Sequence, residues 1–117
     1  MSLITKEMTK TQIEEFLKNK GDFVQIDHLS RYLNIKDTPV DKKRFALQKL
    51  ADLYEKKGLY AESAKMYNNI AIISTTFQEK MAGHVKETEQ YIKSGNFDSA
   101  DQAIKKAMGE GNVAQKA

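Results

Sequence analysis

The two histidines, His28 and His84, are the first candidates for acid–base or metal chemistry, since imidazole titrates near neutral pH and binds metals. They lie far apart in the sequence, and neither has a second metal-binding residue at ligand spacing. The 117-residue chain has no cysteine, which excludes disulfides, thiolate nucleophiles and sulfur-ligated zinc. No Asp or Glu pair is marked out for proton transfer, and the phosphate-binding pattern G-x-x-x-x-G-K-[ST] is absent. We therefore expect no enzyme activity, metal or cofactor, with His28 on a polar helix face and His84 replacing a core aromatic.

Three carboxylates offer a different kind of chemistry. Glu15, Asp52 and Glu89 recur at intervals of 37 residues. If the fold repeats with that period, they form a row on one wall that suits the basic side chains of a ligand. Acids are also common on helix surfaces, so ordinary solvated carboxylates are the alternative interpretation.

A basic cluster lies in the middle of a chain whose net charge is only +3. Its members with a possible binding role are Lys42, Lys43, Arg44 and Lys49. The segment VQIDHLSRYL followed by DKKRFALQKL is similar to a helix-turn-helix, in which the second helix would meet nucleic acid. The connection at 34–39 is longer than the usual turn of such a motif, and Asp41 and Asp52 interrupt the basic surface. Nucleic-acid binding is therefore the alternative function.

A short cassette indicates which elements position these side chains. LKNKGDF, YEKKGLY and YIKSGNF place Gly21, Gly58 and Gly95 at intervals of 37 residues, each followed two positions later by an aromatic residue. Self-similarity at such a period is typical of stacked supersecondary units. We expect each glycine to adopt the left-handed conformation that closes a helix, and each aromatic residue to pack back across the corner.

Apolar residues recur at helical spacing on both sides of each glycine, so every unit reads as a helix, a turn and a second helix. Capping patterns at Thr9, Thr38-Pro39 and Thr76 agree with this division. The predicted helices cover 10–20, 23–33, 39–57, 60–74, 77–94 and 97–108. The predicted organisation is a flexible segment at 1–8, one helical domain at 9–108 with repeats at 9–35, 39–75 and 76–108, and a flexible tail at 109–117.

The middle unit, residues 44–77, resembles a tetratricopeptide (TPR) repeat. The residues that carry the resemblance are Leu47, Leu50, Ala51, Tyr54, Gly58, Tyr60, Ser63 and Tyr67. The third unit departs from the family pattern at His84 and Glu87, which stand at positions that are normally apolar. The resemblance covers about residues 8–108. It implies an all-α fold in which three stacked antiparallel hairpins, about six helices, form a short right-handed superhelix.

The resemblance also implies a function, the binding of a peptide or helix of another protein to the concave wall. The groove residues carried over by register are Thr11, Glu15, Lys18, Gln48, Asp52, Glu55, Val85, Glu89 and Ile92. The acidic row within this set favours a basic ligand. We further expect that the last hairpin is uncapped, so that Ala103, Ile104, Ala107 and Met108 support self-association.

The predicted cellular compartment depends on three features that the sequence lacks. No apolar run approaches the ~20 residues that cross a bilayer, so we expect no membrane association. MSLITKEMTK has no apolar signal core. Together with the lack of cysteine, this favours the cytoplasm.

Overall fold

Within the residues described by the computed structural model, which gives the backbone of 3–116 and the side chains of 3–109, the chain is all-α. Its six helices are α1 (Lys10–Leu17), α2 (Asp22–Tyr32), α3 (Val40–Lys56), α4 (Tyr60–Ile73), α5 (Phe77–Ser94) and α6 (Phe97–Lys116). Each helix begins within one residue of its predicted start. No helix in this part of the chain combines the length and the apolar character needed to cross a membrane.

Side-chain caps fix two of these starts. The hydroxyl of Thr9 accepts from the backbone N–H of Gln12, and the Gln12 side chain accepts from the backbone N–H of Thr9, which forms a complete capping box. Thr76 accepts from the backbone N–H of Glu79 in the same way. Thr38 was expected to cap the third helix, but its buried hydroxyl donates to the carbonyl of Ile35 instead. Its role is to close the preceding loop.

The glycine prediction is confirmed at two of three positions. Gly58 and Gly95 have φ angles of 75° and 79°, the left-handed conformation that ends α3 and α5. Gly21 was predicted to do the same, and this is wrong. It has φ −65° and serves as the extended N-cap residue of α2, because α1 already ends at Leu17 and three residues intervene.

The corner aromatics also differ from the prediction. Phe23 and Phe97 are 63% and 66% exposed, so neither packs back across its corner. Instead, a lysine from the next hairpin reaches Phe23: the Nζ of Lys57 lies 5.2 Å from the centre of its ring. Lys93 lies 5.9 Å from the ring centre of Tyr60 in the same manner. Cation–π contacts thus join neighbouring hairpins at their corners.

The core consists of two apolar clusters. The larger one joins the first three helices through Ile13, Leu17, Leu29 and Leu50, and it also includes Ile4. Ile4 is only 4% exposed, so the segment expected to be flexible at 1–8 contributes a residue to the core. The second cluster joins α3 and α4 through Leu47, Ala51, Tyr67 and Ile70.

The middle hairpin is antiparallel. The hydroxyl of Ser63 on α4 donates to the carbonyl of Ala51 on α3 over 2.9 Å. Further along α4, the hydroxyl of Tyr67 accepts from Gln48, which lies earlier on α3. Contacts that lie closer to the C-terminus of α4 thus involve residues closer to the N-terminus of α3, so the two helices run in opposite directions.

The last helix is longer than predicted. The sequence indicated an end near 108 and a flexible tail at 109–117, but α6 continues to Lys116. Its first turns are anchored against the rest of the fold by the buried residues Ala100, Ala103 and Ala107. Once a helix is nucleated by such packing, each further residue adds a hydrogen bond, so Gly109 and Gly111 lower the helix propensity without ending the helix.

Candidate functional site

Long polar side chains connect α1 to α3 and α3 to α5, so α3 is the middle helix of this set. Lys10 on α1 pairs with Asp41 on α3 at 3.6 Å, and Glu14 pairs with Lys49 at 3.8 Å. These ion pairs are partly exposed, so each contributes less than about 1 kcal/mol to stability. Their value here is geometric, because they place α1 against one flank of α3.

The other flank of α3 contacts α5 in the same fashion. Arg44 pairs with Glu79 at 3.0 Å, and the amide of Gln90 donates to Glu55 over 3.0 Å. Both contacts join residues 35 positions apart, the separation that also links Glu14 and Lys49 at the first joint. The two joints between first helices are therefore built alike.

Two adjoining pockets lie where these helices meet. They have volumes of about 320 Å³ and 200 Å³, and they share Arg44, Gln48 and Ile70. The first is completed by Lys10, Asp41 and Phe45. The second is completed by Tyr67, Glu79, Ala82, Gly83 and Lys86. Together they form a depression across α3, with α4 side chains as part of its lining.

The acidic row is distributed over the same three helices. Glu15 lies on α1, Asp52 on α3 and Glu89 on α5, and all three are exposed. Two of them have polar neighbours on their own helix: Asp52 accepts from Gln48 over 3.1 Å, and Glu89 lies 3.6 Å from the ammonium of Lys86. The row therefore consists of solvated, partly compensated carboxylates.

Apolar side chains accompany the last acid of the row. Val85 and Ile92 are 38% and 52% exposed, and with Glu89 they occupy positions i, i+4 and i+7 of α5. This spacing places all three on one side of the helix. We define the odd-helix face as the exposed surface of α1, α3 and α5 that carries Glu15, Gln48, Asp52, Val85, Glu89 and Ile92. Lys18 is also exposed, at the C-cap of α1.

Glu55 was expected to contact a partner, but it bridges α3 and α5. Its carboxylate accepts from the amide of Gln90 and pairs with the ammonium of Lys93. The pKa of Glu55 is lowered below its ordinary value. The hydrogen bond from Gln90 is the larger cause, and the hydrogen bond from Lys93 is the next. A carboxylate held in this way positions two helices.

The basic cluster on α3 is also engaged within the chain. Lys42 donates to the carbonyl of Lys6 over 2.9 Å, Arg44 pairs with Glu79, and Lys49 pairs with Glu14. Lys43 is half-buried. A helix that reads nucleic acid presents its basic side chains together to the phosphates, whereas these side chains reach in several directions toward neighbouring segments.

A buried polar cluster was not anticipated as such from the sequence. The Nδ1 of His84 lies 2.9 Å from a carboxylate oxygen of Glu87, and both side chains are buried. Lys106 on α6 reaches the other oxygen of Glu87 at 3.1 Å and donates to Asn68 on α4 over 2.9 Å. The only signal for it was the pair His84 and Glu87, one turn apart at normally apolar positions.

His28 occupies a different setting. It stacks edge-on against Phe16 with ring centres 4.9 Å apart, at the corner between α1 and α2. The ring is half-buried, whereas the sequence suggested a polar face. Among the described residues, no group of three or more His, Asp or Glu side chains converges in a way that could hold a metal ion.

Comparison with known proteins does not assign this arrangement. No protein-family model, curated protein or solved structure matches the chain. A functional assignment must therefore start from the odd-helix face.

Proposed function

We propose that this chain is a non-enzymatic, TPR-like interaction module that binds a basic peptide or helix of another protein on its odd-helix face. In this proposal the three hairpins stack as a short right-handed superhelix, and α1, α3 and α5 form its concave wall. The observation that carries the proposal is the exposed stripe of Val85, Glu89 and Ile92 on α5, the helix that also supplies Ala82 and Lys86 to one of the two pockets.

The stripe has the form of a helix-binding surface. Apolar residues at i and i+7 with an acid between them match the spacing of the anchors on an amphipathic partner helix. A single exposed isoleucine needs no explanation, whereas two exposed apolar side chains aligned on one side of a helix suit a partner. Full burial of an exposed valine or isoleucine side chain contributes about 1.5–3 kcal/mol. Because Val85 and Ile92 are already about half-buried, each adds only part of this, and the two anchors support weak binding.

The chemistry of the partner follows from the charges on this face. Glu15, Asp52 and Glu89 lie on α1, α3 and α5, the first helices of the three proposed hairpins, so an extended or helical ligand that crosses these helices meets an acid on each. Because Lys86 partly compensates Glu89, we expect modest affinity that weakens with salt. The lack of cysteine is in keeping with a partner in the reducing cytoplasm.

A peptide-display selection on the full chain tests this proposal. Enriched peptides should be rich in Lys or Arg with apolar anchors. Their affinity, measured by fluorescence anisotropy, should fall at least about tenfold, or 1.4 kcal/mol, when Glu15, Asp52 and Glu89 are all replaced by Lys. The matched control replaces Glu7, Asp27 and Asp98 by Lys; these are exposed acids outside the face, and the variant should leave the affinity within about twofold.

Two results would count against the proposal. One is a peptide whose affinity falls equally in the control variant, because that outcome reports overall charge alone. The other is binding of duplex DNA that is lost on replacing Lys42 and Lys43 by Glu, which supports the nucleic-acid alternative.

A further inference from the structure

The exposed side of α6 carries an apolar stripe of its own. Phe97 and Met108 are 66% and 62% exposed, and Ile104 between them is half-buried. At about 100° per residue, these three side chains fall within a narrow sector of the helix. The buried residues Ala100, Ala103 and Ala107 lie on another side, where α6 packs on the fold. The centre of the stripe therefore lies about 90° around α6 from the side that packs on the fold, and its ends at Phe97 and Met108 are free of that packing.

The preceding unit shows what this surface is suited to contact. The positions 37 residues before Phe97, Ile104 and Met108 are Tyr60, Tyr67 and Ala71 on α4. There, Tyr67 and Ala71 are buried, and Ala71 meets the backbone of Gly83 on α5. A helix thus covers the α4 side of the repeat, while the corresponding side of α6 is exposed at Phe97 and Met108.

The charges along the stripe indicate the occupant. Asp101 and Lys105 flank it and pair with each other at 2.9 Å, with side chains 61% and 72% exposed. The charged residues Asp101 and Lys105 lie two residues before and two residues after position 103. The large apolar residues Phe97 and Met108 lie six residues before it and five residues after it. The two halves of the stripe thus match except in the sign of the charge. A second copy of the stripe that runs in the opposite direction therefore places apolar residues against apolar residues and opposite charges against each other.

We propose that a second copy of this chain docks on this stripe, with the two α6 helices antiparallel about a two-fold axis near residue 103. In that arrangement Phe97 packs on Met108 of the other copy, and Ile104 lies near the axis. Asp101 meets Lys105 of the other copy twice, because a two-fold axis perpendicular to both helices brings the same flank of each together.

The size of the contact sets the expected strength. The stripe spans about 17 Å of helix at 1.5 Å per residue. One pair of helices over that length falls below the roughly 1,200–2,000 Å² typical of stable complexes. We therefore expect a weak dimer with a dissociation constant on the order of 100 µM. This interface does not involve α1, α3 or α5, so it is independent of the function proposed above.

Sedimentation equilibrium of the full chain from about 10 µM to about 1 mM tests the proposal. We expect association that weakens at least about tenfold in Phe97→Glu and in Met108→Glu. Ile72→Glu, at a position that is 61% exposed on α4, is the matched control and should associate like the wild type. Because these positions are exposed, circular dichroism should show an unchanged fold. A strict monomer throughout, or a dimer that is insensitive to Phe97→Glu, overturns the proposal.

A charge exchange tests the antiparallel register. Asp101→Lys places like charges opposite each other in a homodimer, and so does Lys105→Asp, so each variant alone should be more monomeric than the wild type. When the two variants are mixed, one chain carries lysine at both positions and the other carries aspartate at both. Opposite charges then face each other twice, and we expect a heterodimer to form. Failure of the mixture to associate more strongly than either variant alone excludes this register.

Discussion

Gly83 on α5 lies directly against Ala71 on α4. A Cβ atom built on Gly83 would stand 2.9 Å from the Cβ of Ala71 and 3.2 Å from its backbone. The close approach of these two helices, which joins the second hairpin to the third, therefore requires a residue without a side chain at position 83.

Gly83→Ala should destabilise the chain by about 1–2 kcal/mol, because the clash outweighs the roughly 1 kcal/mol that alanine gains over glycine in a helix. Urea unfolding provides the measurement. Gly109→Ala is the matched control, since no atom lies within 4 Å of that position, and it should be neutral or stabilising. Ala71→Gly should cost less in the Gly83→Ala background than in the wild type, because there it also relieves the clash. A Gly83→Ala variant as stable as the wild type would show that the two helices separate at little cost.

The three cassette glycines should respond differently to alanine. Gly58→Ala and Gly95→Ala force a left-handed conformation on a residue with a Cβ atom, which costs about 1–2 kcal/mol each. Gly21→Ala meets open space at φ −65°. The restriction of the unfolded chain is offset by the loss of a favoured N-cap residue, so we expect a change in unfolding free energy within about 0.5 kcal/mol. Thermal unfolding of the three variants distinguishes them. Equal losses at all three positions would contradict the different role of Gly21.

Much of the fold was predictable because its signals are local. The glycine spacing and the patterns at Thr9, Thr38-Pro39 and Thr76 involve neighbouring residues, and they located every helix start within one residue, although Thr38 does not cap α3. The burial of Ile4 was not predictable, since it depends on where a terminal segment meets α1 and α3. The extension of α6 was missed because its two glycines argue against a helix locally, whereas packing of Ala103 and Ala107 determines the outcome.

The bridge between α3 and α5 should make stability pH-dependent. Gln90 and then Lys93 lower the pKa of Glu55 from its ordinary value of 4.5. The stabilisation is therefore present above pH 4.5 and is lost as the pH falls through the lower pKa of the folded state. Glu55→Gln should show a smaller loss of unfolding free energy between pH 6 and pH 3, values on either side of about 4.5. Glu15→Gln removes the same charge from an exposed site and should retain the wild-type loss; equal behaviour of both variants would argue against the bridge.

The buried cluster around Glu87 should be energetically coupled to α6. Lys106→Met removes the ammonium beside a buried carboxylate, and we expect a loss of about 1–3 kcal/mol in unfolding free energy. Lys105→Met, at an exposed pair on the same helix, should cost less than about 0.5 kcal/mol. In the double variant with Glu87→Met, the combined loss should be smaller than the sum of the single losses. Additive losses would indicate that the two side chains do not depend on each other.

The candidate site was less predictable than the fold, for a physical reason. Register along the chain places Glu15, Asp52 and Glu89 on α1, α3 and α5, but it does not show which long side chains turn toward a neighbouring helix. Glu55 and Arg44 do so, and this engages them in joints between hairpins. Whether two side chains about 35 residues apart form a pair depends on the distance between their helices. The periodicity of the sequence does not give that distance.

The central claim is that the odd-helix face binds a partner. The most direct measurement is a titration of isotope-labelled chain with a display-selected basic peptide, followed through backbone amide chemical shifts. We expect the largest changes at Gln48, Asp52, Val85, Glu89 and Ile92, and unchanged signals along α6. Changes that concentrate instead around Lys42 and Lys43, or on α6, would contradict the account.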